Sequence, residues 1–193
     1  MITHIQGRLV EKNPTSVVID CHGIGYEINI SLHTFSLIPN EENIKLYTHL
    51  IIRDDAHILY GFAQLIEREM FRLLLSVNGV GASTARTMLS SLSPEEIRDA
   101  IGQGDVALIQ SVKGIGSKTA QRVIVDLKDK VISLFDMKDI LRPVSNTNMD
   151  EALSALETLG FPRKKVEKVC EKIGRENPDV SVETIIKLAL KNL

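Results

Sequence analysis

The chain has 193 residues, 44% hydrophobic and 25% charged, with aromatic residues at only 4% and no tryptophan. So few rings exclude a single-strand binder that stacks bases along a row of aromatics, and a net charge of −2 excludes a broad basic field. At this length two or three small domains are expected in place of one large core.

The amino-terminal stretch Met1-Ile2-Thr3-His4-Ile5-Gln6-Gly7 has neither the basic flank nor the apolar run of a signal peptide. No segment approaches the roughly 18 apolar residues of a spanning helix, so a cytoplasmic protein with no membrane contact is expected. Cys21 and Cys170 stand alone, without the paired spacing of a metal site. Both read as reduced structural thiols, and no metal or cofactor is expected.

From Ile2 to Phe62 the pattern is that of strands, with β-branched runs such as Ser16-Val17-Val18-Ile19 and alternation in Tyr26-Glu27-Ile28-Asn29-Ile30. Asn13-Pro14, Gly23-Ile24-Gly25, Pro39-Asn40 and Asp54-Asp55 divide this stretch into five or six short strands. Such spacing fits a small closed barrel of the OB type over residues 1–63.

Beyond Phe62 the period becomes helical: Leu65, Ile66, Met70, Phe71, Leu73, Leu74 and Val77 mark one buried face, and helices are expected to about Phe135. Ser93-Pro94-Glu95-Glu96 is a capping box with proline at the first helical position, so a helix starts there. Residues 136–148 lack a sustained apolar period and read as a linker. Met149 to Leu159, Pro162 to Ile173 and Ser181 to Asn192 read as three short helices, a small bundle over residues 149–193. The fold class expected is therefore α+β multidomain: a barrel, a central all-α domain over residues 64–135, and a carboxy-terminal three-helix bundle.

Basic and acidic side chains number 4 and 7 in residues 1–63, 11 and 10 in 64–142, and 8 and 8 in 147–193. No part is strongly basic. Contact with DNA must then rest on placed residues and backbone donors.

The central domain carries an internal repeat. Val77-Asn78-Gly79-Val80-Gly81-Ala82-Ser83-Thr84-Ala85 recurs 35 residues later as Val112-Lys113-Gly114-Ile115-Gly116-Ser117-Lys118-Thr119-Ala120, each copy between two helical stretches. Two glycines permit a tight turn and close approach of another molecule, while Val80 or Ile115 anchors the turn. The second helix then begins with unsatisfied N–H groups at its positive dipole end, an arrangement suited to a phosphate oxygen. Backbone donors on phosphates recognise the shape of DNA and not its base sequence.

The candidate contacts are Asn78, Gly79, Gly81, Ser83 and Thr84 in the first copy, where Arg86 is also available. In the second they are Lys113, Gly114, Gly116, Ser117, Lys118, Thr119 and Arg122, with Lys118 and Arg122 four apart on one helix face. Lys128 and Lys130 read as solvated surface charges. A Walker loop does not fit, because Ser117 separates Gly116 from Lys118 and the turn follows a helix. A dinucleotide fingerprint does not fit either, since Thr84 and Thr119 stand where its third glycine would be.

The turn looks like the helix-hairpin-helix motif, here in tandem. Together with Gly7-Arg8-Leu9, Gly23-Ile24-Gly25-Tyr26-Glu27 and Arg53-Asp54-Asp55-Ala56-His57-Ile58-Leu59-Tyr60-Gly61-Phe62, it makes the whole chain resemble the RuvA family. That resemblance implies a non-catalytic homotetramer with fourfold symmetry that holds four-way (Holliday) junction DNA open, with two tetramers able to sandwich it. It also implies the hexameric RuvB ATPase motor as a partner in branch migration, and the RuvC junction resolvase as another.

In the family, acidic residues on a barrel hairpin form a pin at the junction centre, and the matching positions here are Asp54 and Asp55. The family usually has Glu before Asp, and many relatives carry Lys where this chain has Ser117. The carboxy-terminal helices resemble the motor-binding domain. Ile185, Ile186, Leu188, Ala189 and Leu190 nearly encircle the last helix, which makes Ile185, Leu188 and Leu190 candidate partner contacts.

Single or tandem helix-hairpin-helix units also occur in glycosylases and nucleases, where Lys118 would be the nucleophile to suspect. Against that reading, Asp126 and Asp129 lie in an apparently continuous helix, not on a loop beyond the hairpin. A nuclease would also need convergent carboxylates for metal ions, and the adjacent pair to consider for that role is Asp54-Asp55.

Overall fold

A computed structural model describes residues 1–39, 42–140, 148–176 and 181–192. The amino-terminal part is a closed barrel of β1 (His4–Lys12), β2 (Ser16–Cys21), β3 (Ile24–Ile30), β4 (Asn43–Ile52) and β5 (His57–Phe62) in the order β1-β2-β3-β5-β4. Ile5, Val17, Ile19, Ile28, Ile30, Ile44 and Leu46 fill its interior, the inward positions of the alternation read in the sequence. The barrel closes where β3 runs parallel to β5, at Asn29 with Tyr60 and Ile30 with Gly61. Glycine is required there, because a Cβ on Gly61 would sit 2.5 Å from Cγ2 of Ile28.

One short element escaped the sequence reading. Helix α1 (Leu32–Leu37) lies between β3 and β4, where only strands and turns were expected. Six residues are too few for a helical period to register, and Ser31 starts it by accepting from the Thr34 amide at 2.9 Å.

Among the described residues eight more helices make up the two helical parts. In the first, α2 (Leu65–Leu75), α3 (Ala82–Ser91), α4 (Pro94–Gln103), α5 (Val106–Gln110) and the long α6 (Ser117–Ile140) follow the barrel. The expected capping box opens α4: the Ser93 hydroxyl accepts from the Glu96 amide, and the Glu96 carboxylate accepts from the Ser93 amide. Those bonds hold the Glu96 carboxyl below its ordinary range. Helix α6 runs five residues into the stretch read as linker, since nothing before Pro143 interrupts it. Residues 141–147 of that stretch lie outside the described residues, and Asn148, its last residue, already opens the next helix.

Barrel and first helical part form one compact unit, Met1–Asp139. Tyr60 and Phe62 of β5 belong to the helical core, packing on Phe71 of α2 with ring centroids 5.1 and 5.0 Å apart. Polar bonds close the same seam. Buried Glu67 of α2 accepts from the hydroxyls of Ser31 and, at 2.6 Å, Thr34, both on the barrel side. The Thr34 hydroxyl in turn accepts from the Ala63 amide at 3.1 Å. Arg68 donates to the Thr3 carbonyl at 2.9 Å, and the Leu32 amide donates to Ser90 at 3.1 Å.

The second unit, Ile140–Leu193, contains α7 (Asn148–Thr158), α8 (Arg163–Glu176) and α9 (Val182–Asn192). Ala152, Leu156, Val166, Cys170, Ile173, Ile185 and Ala189 form its core. Both cysteines are free thiols, and burial pushes that of Cys170 up. No helix among the described residues is long and apolar enough to cross a membrane.

Burial raises the Glu67 carboxyl above its ordinary range against the opposing pull of its two hydroxyl donors. A carboxyl that holds its proton more tightly when folded contributes most below its unfolded value and loses that contribution as pH rises through the folded one. Glu67→Gln cannot titrate. Measured by urea unfolding, the stability of the native protein relative to this variant should therefore fall as pH rises above the ordinary carboxylate range; a relative rise would refute the assignment.

Candidate nucleic-acid interface

The two Gly-x-Gly turns join α2 to α3 and α5 to α6, so both are helix-turn-helix hairpins as the repeat implied. They are built alike. Val77 and Val112 are buried at the entry, Val80 and Ile115 are buried in the middle, and the Val80 and Ile115 amides bond back to the Val77 and Val112 carbonyls at 3.0 and 3.1 Å. The glycines divide the work. Gly79 and Gly114 take φ of +96° and +92°, where an L side chain is strained. Gly81 lies in the extended region at φ −88° and ψ 171°, and a Cβ on Gly81 or Gly116 would meet nothing within 4 Å. The first glycine makes the turn, and the second leaves open space at the start of the next helix.

That open space faces free donors. Helices α1, α4 and α5 begin with side-chain caps from Ser31, Ser93 and Asp105. Helix α3 begins on Gly81 with none. Its first backbone bond is from the Ala85 amide to the Gly81 carbonyl, and the same bond runs from Ala120 to Gly116 at the head of α6. Among the described residues the amides of Ala82, Ser83 and Thr84, and those of Ser117, Lys118 and Thr119, therefore have no acceptor. Each turn offers a cluster of N–H groups at the positive end of a helix.

Side chains around these donors differ between copies. Lys113, Ser117 and Lys118 are exposed at the second turn, and neither lysine is paired with a carboxylate among the described residues. At the first turn Asn78 and Ser83 are exposed, while Thr84 and its counterpart Thr119 are half-buried. Two arginines are placed otherwise than expected. Arg86 turns to the barrel, donating to Oδ1 of Asn29 at 2.8 Å and to the Thr15 carbonyl at 3.4 Å, so it is not available beside Ser83 and Thr84. Arg122 donates from Nη1 to the Asn78 carbonyl at 3.0 Å, bringing the two hairpins together.

Asp54 and Asp55 form the tip of the β4–β5 hairpin, closed by Arg53 and Ala56 through bonds of 2.8 and 3.4 Å. Both are exposed, and neither has a hydrogen bond or ion pair among the described residues. Neither takes a positive φ, so the tip is held by ladder pairing and not by a glycine-dependent turn. Two adjacent carboxylates thus lie exposed without an ion pair among the described residues.

In the second unit the candidate partner contacts separate. Ile185 lies at 3% exposure in the bundle core and is unavailable to a partner, Leu188 is half-buried, and Leu190 is exposed at 46%. Leu159, at 61%, is a further exposed apolar side chain that the helical pattern did not single out, because it lies just past the end of α7.

Three family models cover this architecture in order: the RuvA N-terminal domain over residues 1–61, a SAM-like helix-hairpin-helix tandem over 71–129, and the RuvA C-terminal domain over 147–193. The chain is 64% identical over 193 residues to a protein of Flavobacterium psychrophilum and 63% identical over the same length to one of Christiangramia forsetii, with all of both chains covered in each case. It belongs to the RuvA family. The two relatives, and a third from Bacteroides thetaiotaomicron at 48% identity over 201 residues, carry the description Holliday junction branch migration complex subunit RuvA. Both Gly-x-Gly turns fall within the residues matched by the helix-hairpin-helix tandem model.

Gly114→Ala should destabilise by roughly 1–2 kcal/mol, the cost of an L side chain in left-handed backbone. Gly102→Ala, at an exposed position of α4 with open space around it, should instead stabilise by about 0.5–1 kcal/mol. Urea unfolding of both variants checks this, and equal effects would show that the turn imposes no special conformation.

Proposed function

We propose that this chain is the non-catalytic DNA-binding subunit of a branch-migration complex, acting in the cytoplasm. Four copies hold a four-way junction open while the RuvB ATPase supplies the movement. The observation that carries this reading is the pair of uncapped helix starts at Gly81 and Gly116, within a chain related over its full length to RuvA subunits.

The mechanism follows from what the site offers. Phosphate oxygens approach the open space at Gly81 and Gly116 and accept from the amides of residues 82–84 and 117–119, with Ser83, Ser117, Lys113 and Lys118 adding side-chain donors. Asn78, Gly114, Thr84 and Thr119 shape the turns, and Gly79 both makes its turn and adds its own amide to the donors of the first hairpin. Because these contacts touch only the backbone of DNA, they carry no base preference. Each hairpin binds weakly, and four linked copies convert weak contacts into tight binding to a ligand with four similar arms.

The acidic tip supplies selectivity. In four copies, Asp54 and Asp55 place eight carboxylates about the centre, where they repel phosphates and favour separated strands over a continuous duplex. The second unit, through the exposed face that includes Leu190, recruits the motor, and the assembled junction is then a substrate for the RuvC resolvase.

The test is equilibrium binding to a four-way junction and to linear duplex, each in two unrelated base sequences, at matched salt. Junction binding tighter than duplex binding in both sequences is expected, and equal affinity for the two shapes would refute the proposal. With both Asp54 and Asp55 changed to Asn, duplex affinity should rise more than junction affinity. The gain should shrink as salt approaches about 0.15 M, where screening acts within ~8 Å. Unchanged selectivity at low salt would leave these residues as an ordinary turn.

A further inference from the structure

We propose that Arg122 is a positioning residue, not a phosphate ligand: it holds the Asn78–Gly79 peptide of the first hairpin so that the Gly79 amide faces outward. This rests on the reading of the hairpins as the DNA-binding surface. The peptide unit is planar and trans, so the Asn78 carbonyl and the Gly79 N–H point in opposite directions. Arg122 fixes the carbonyl by donating to it at 3.0 Å from α6. Pinning one end of the peptide aims the other.

The pin matters because of the residue that follows. Gly79 has φ of +96°, and glycine crosses between left- and right-handed backbone at little cost, so rotation of the preceding peptide is resisted weakly by the turn itself. A backbone donor has no side-chain torsions with which to correct its aim. Its direction has to come from outside the turn. Thr119, one turn before Arg122 on α6, lies beside the same turn, its Oγ1 3.8 Å from where a Cβ on Gly79 would be.

The second hairpin has no such brace. Thr87 stands 35 residues before Arg122, in the equivalent place, and spends its hydroxyl on the Ser83 carbonyl of its own helix at 2.9 Å. Nothing lies within 4 Å of a Cβ on Gly114, and among the described residues no side chain donates to the Lys113 carbonyl. The second copy has lysines at its turn and an unbraced peptide; the first has a braced peptide and no lysine. The bond is therefore specific to the turn that depends most on its backbone amides.

The experiment compares Arg122→Met with Lys118→Ala in the full-length protein. Junction affinity is measured over a salt series, and amide hydrogen exchange is measured in the free protein. Arg122→Met should weaken junction binding about tenfold, as loss of a charge-assisted bond would, with the salt slope unchanged. In the absence of DNA it should also speed exchange at Gly79, Val80 and Gly81 but not at Gly114, Ile115 and Gly116.

Lys118→Ala should do the converse, making the slope shallower by about one and leaving exchange at Gly79 as it was. A shallower slope for Arg122→Met with undisturbed exchange at Gly79 would make Arg122 a phosphate ligand and overturn the proposal. No change in either quantity would reduce it to a surface charge and overturn it equally. If the native protein fails to prefer junctions, the DNA-binding reading fails, and exchange at Gly79 still reports whether the brace exists.

Discussion

A helix that begins on glycine leaves its first amides without an acceptor from its own chain, and the two helices that follow the Gly-x-Gly turns both begin that way. The contrast lies within the same domain. Helices α4 and α5 start on Ser93 and Asp105, whose side chains each accept from one amide of the first turn. Among the described residues no side chain does so at Gly81 or Gly116. An anion is the natural acceptor for such a set of donors, and the rest of the first unit can be understood as the means of presenting two of them in fixed positions.

Fixed position is what the seam provides. Glu67, Thr34 and Ser31 bond across the boundary of barrel and helices, Phe71 packs against Tyr60 and Phe62, and Arg86 reaches back to Asn29. The acidic tip at Asp54 and Asp55 and the hairpins therefore belong to one compact unit. Repulsive and attractive elements can act together on one DNA only if their separation is set. The chain's net charge of −2 is consistent with this division, because amides attract without adding formal charge and the carboxylates are kept to their own hairpin.

Elements with a strong local pattern could be read from the sequence. Alternation in β2 and β3 and the turn at Gly23 announced strands, Ser93 and Glu96 announced a helix start, and the repeat announced two hairpins. What escaped depends on partners far along the chain. Arg86 looked available because its acceptor, Asn29, is 57 residues away, and the bond from Arg122 to the Asn78 carbonyl joins residues 44 apart. Glu67 reads as an ordinary helix carboxylate until Ser31 and Thr34 are brought to it. Ile185 and Leu190 share an apolar helix, and only packing against α7 and α8 decides which of them is buried.

The most direct measurement changes the open helix starts themselves. Serine at both Gly81 and Gly116 suits the extended backbone of a cap and accepts from the amides one turn on, so unfolding stability should rise by a few tenths of a kcal/mol at each site. The same side chains occupy the donors and the space a phosphate would use. Junction affinity should then fall by at least about tenfold, as expected for losing charge-assisted bonds. A double variant as stable as the native protein that binds four-way junctions just as tightly would contradict the account.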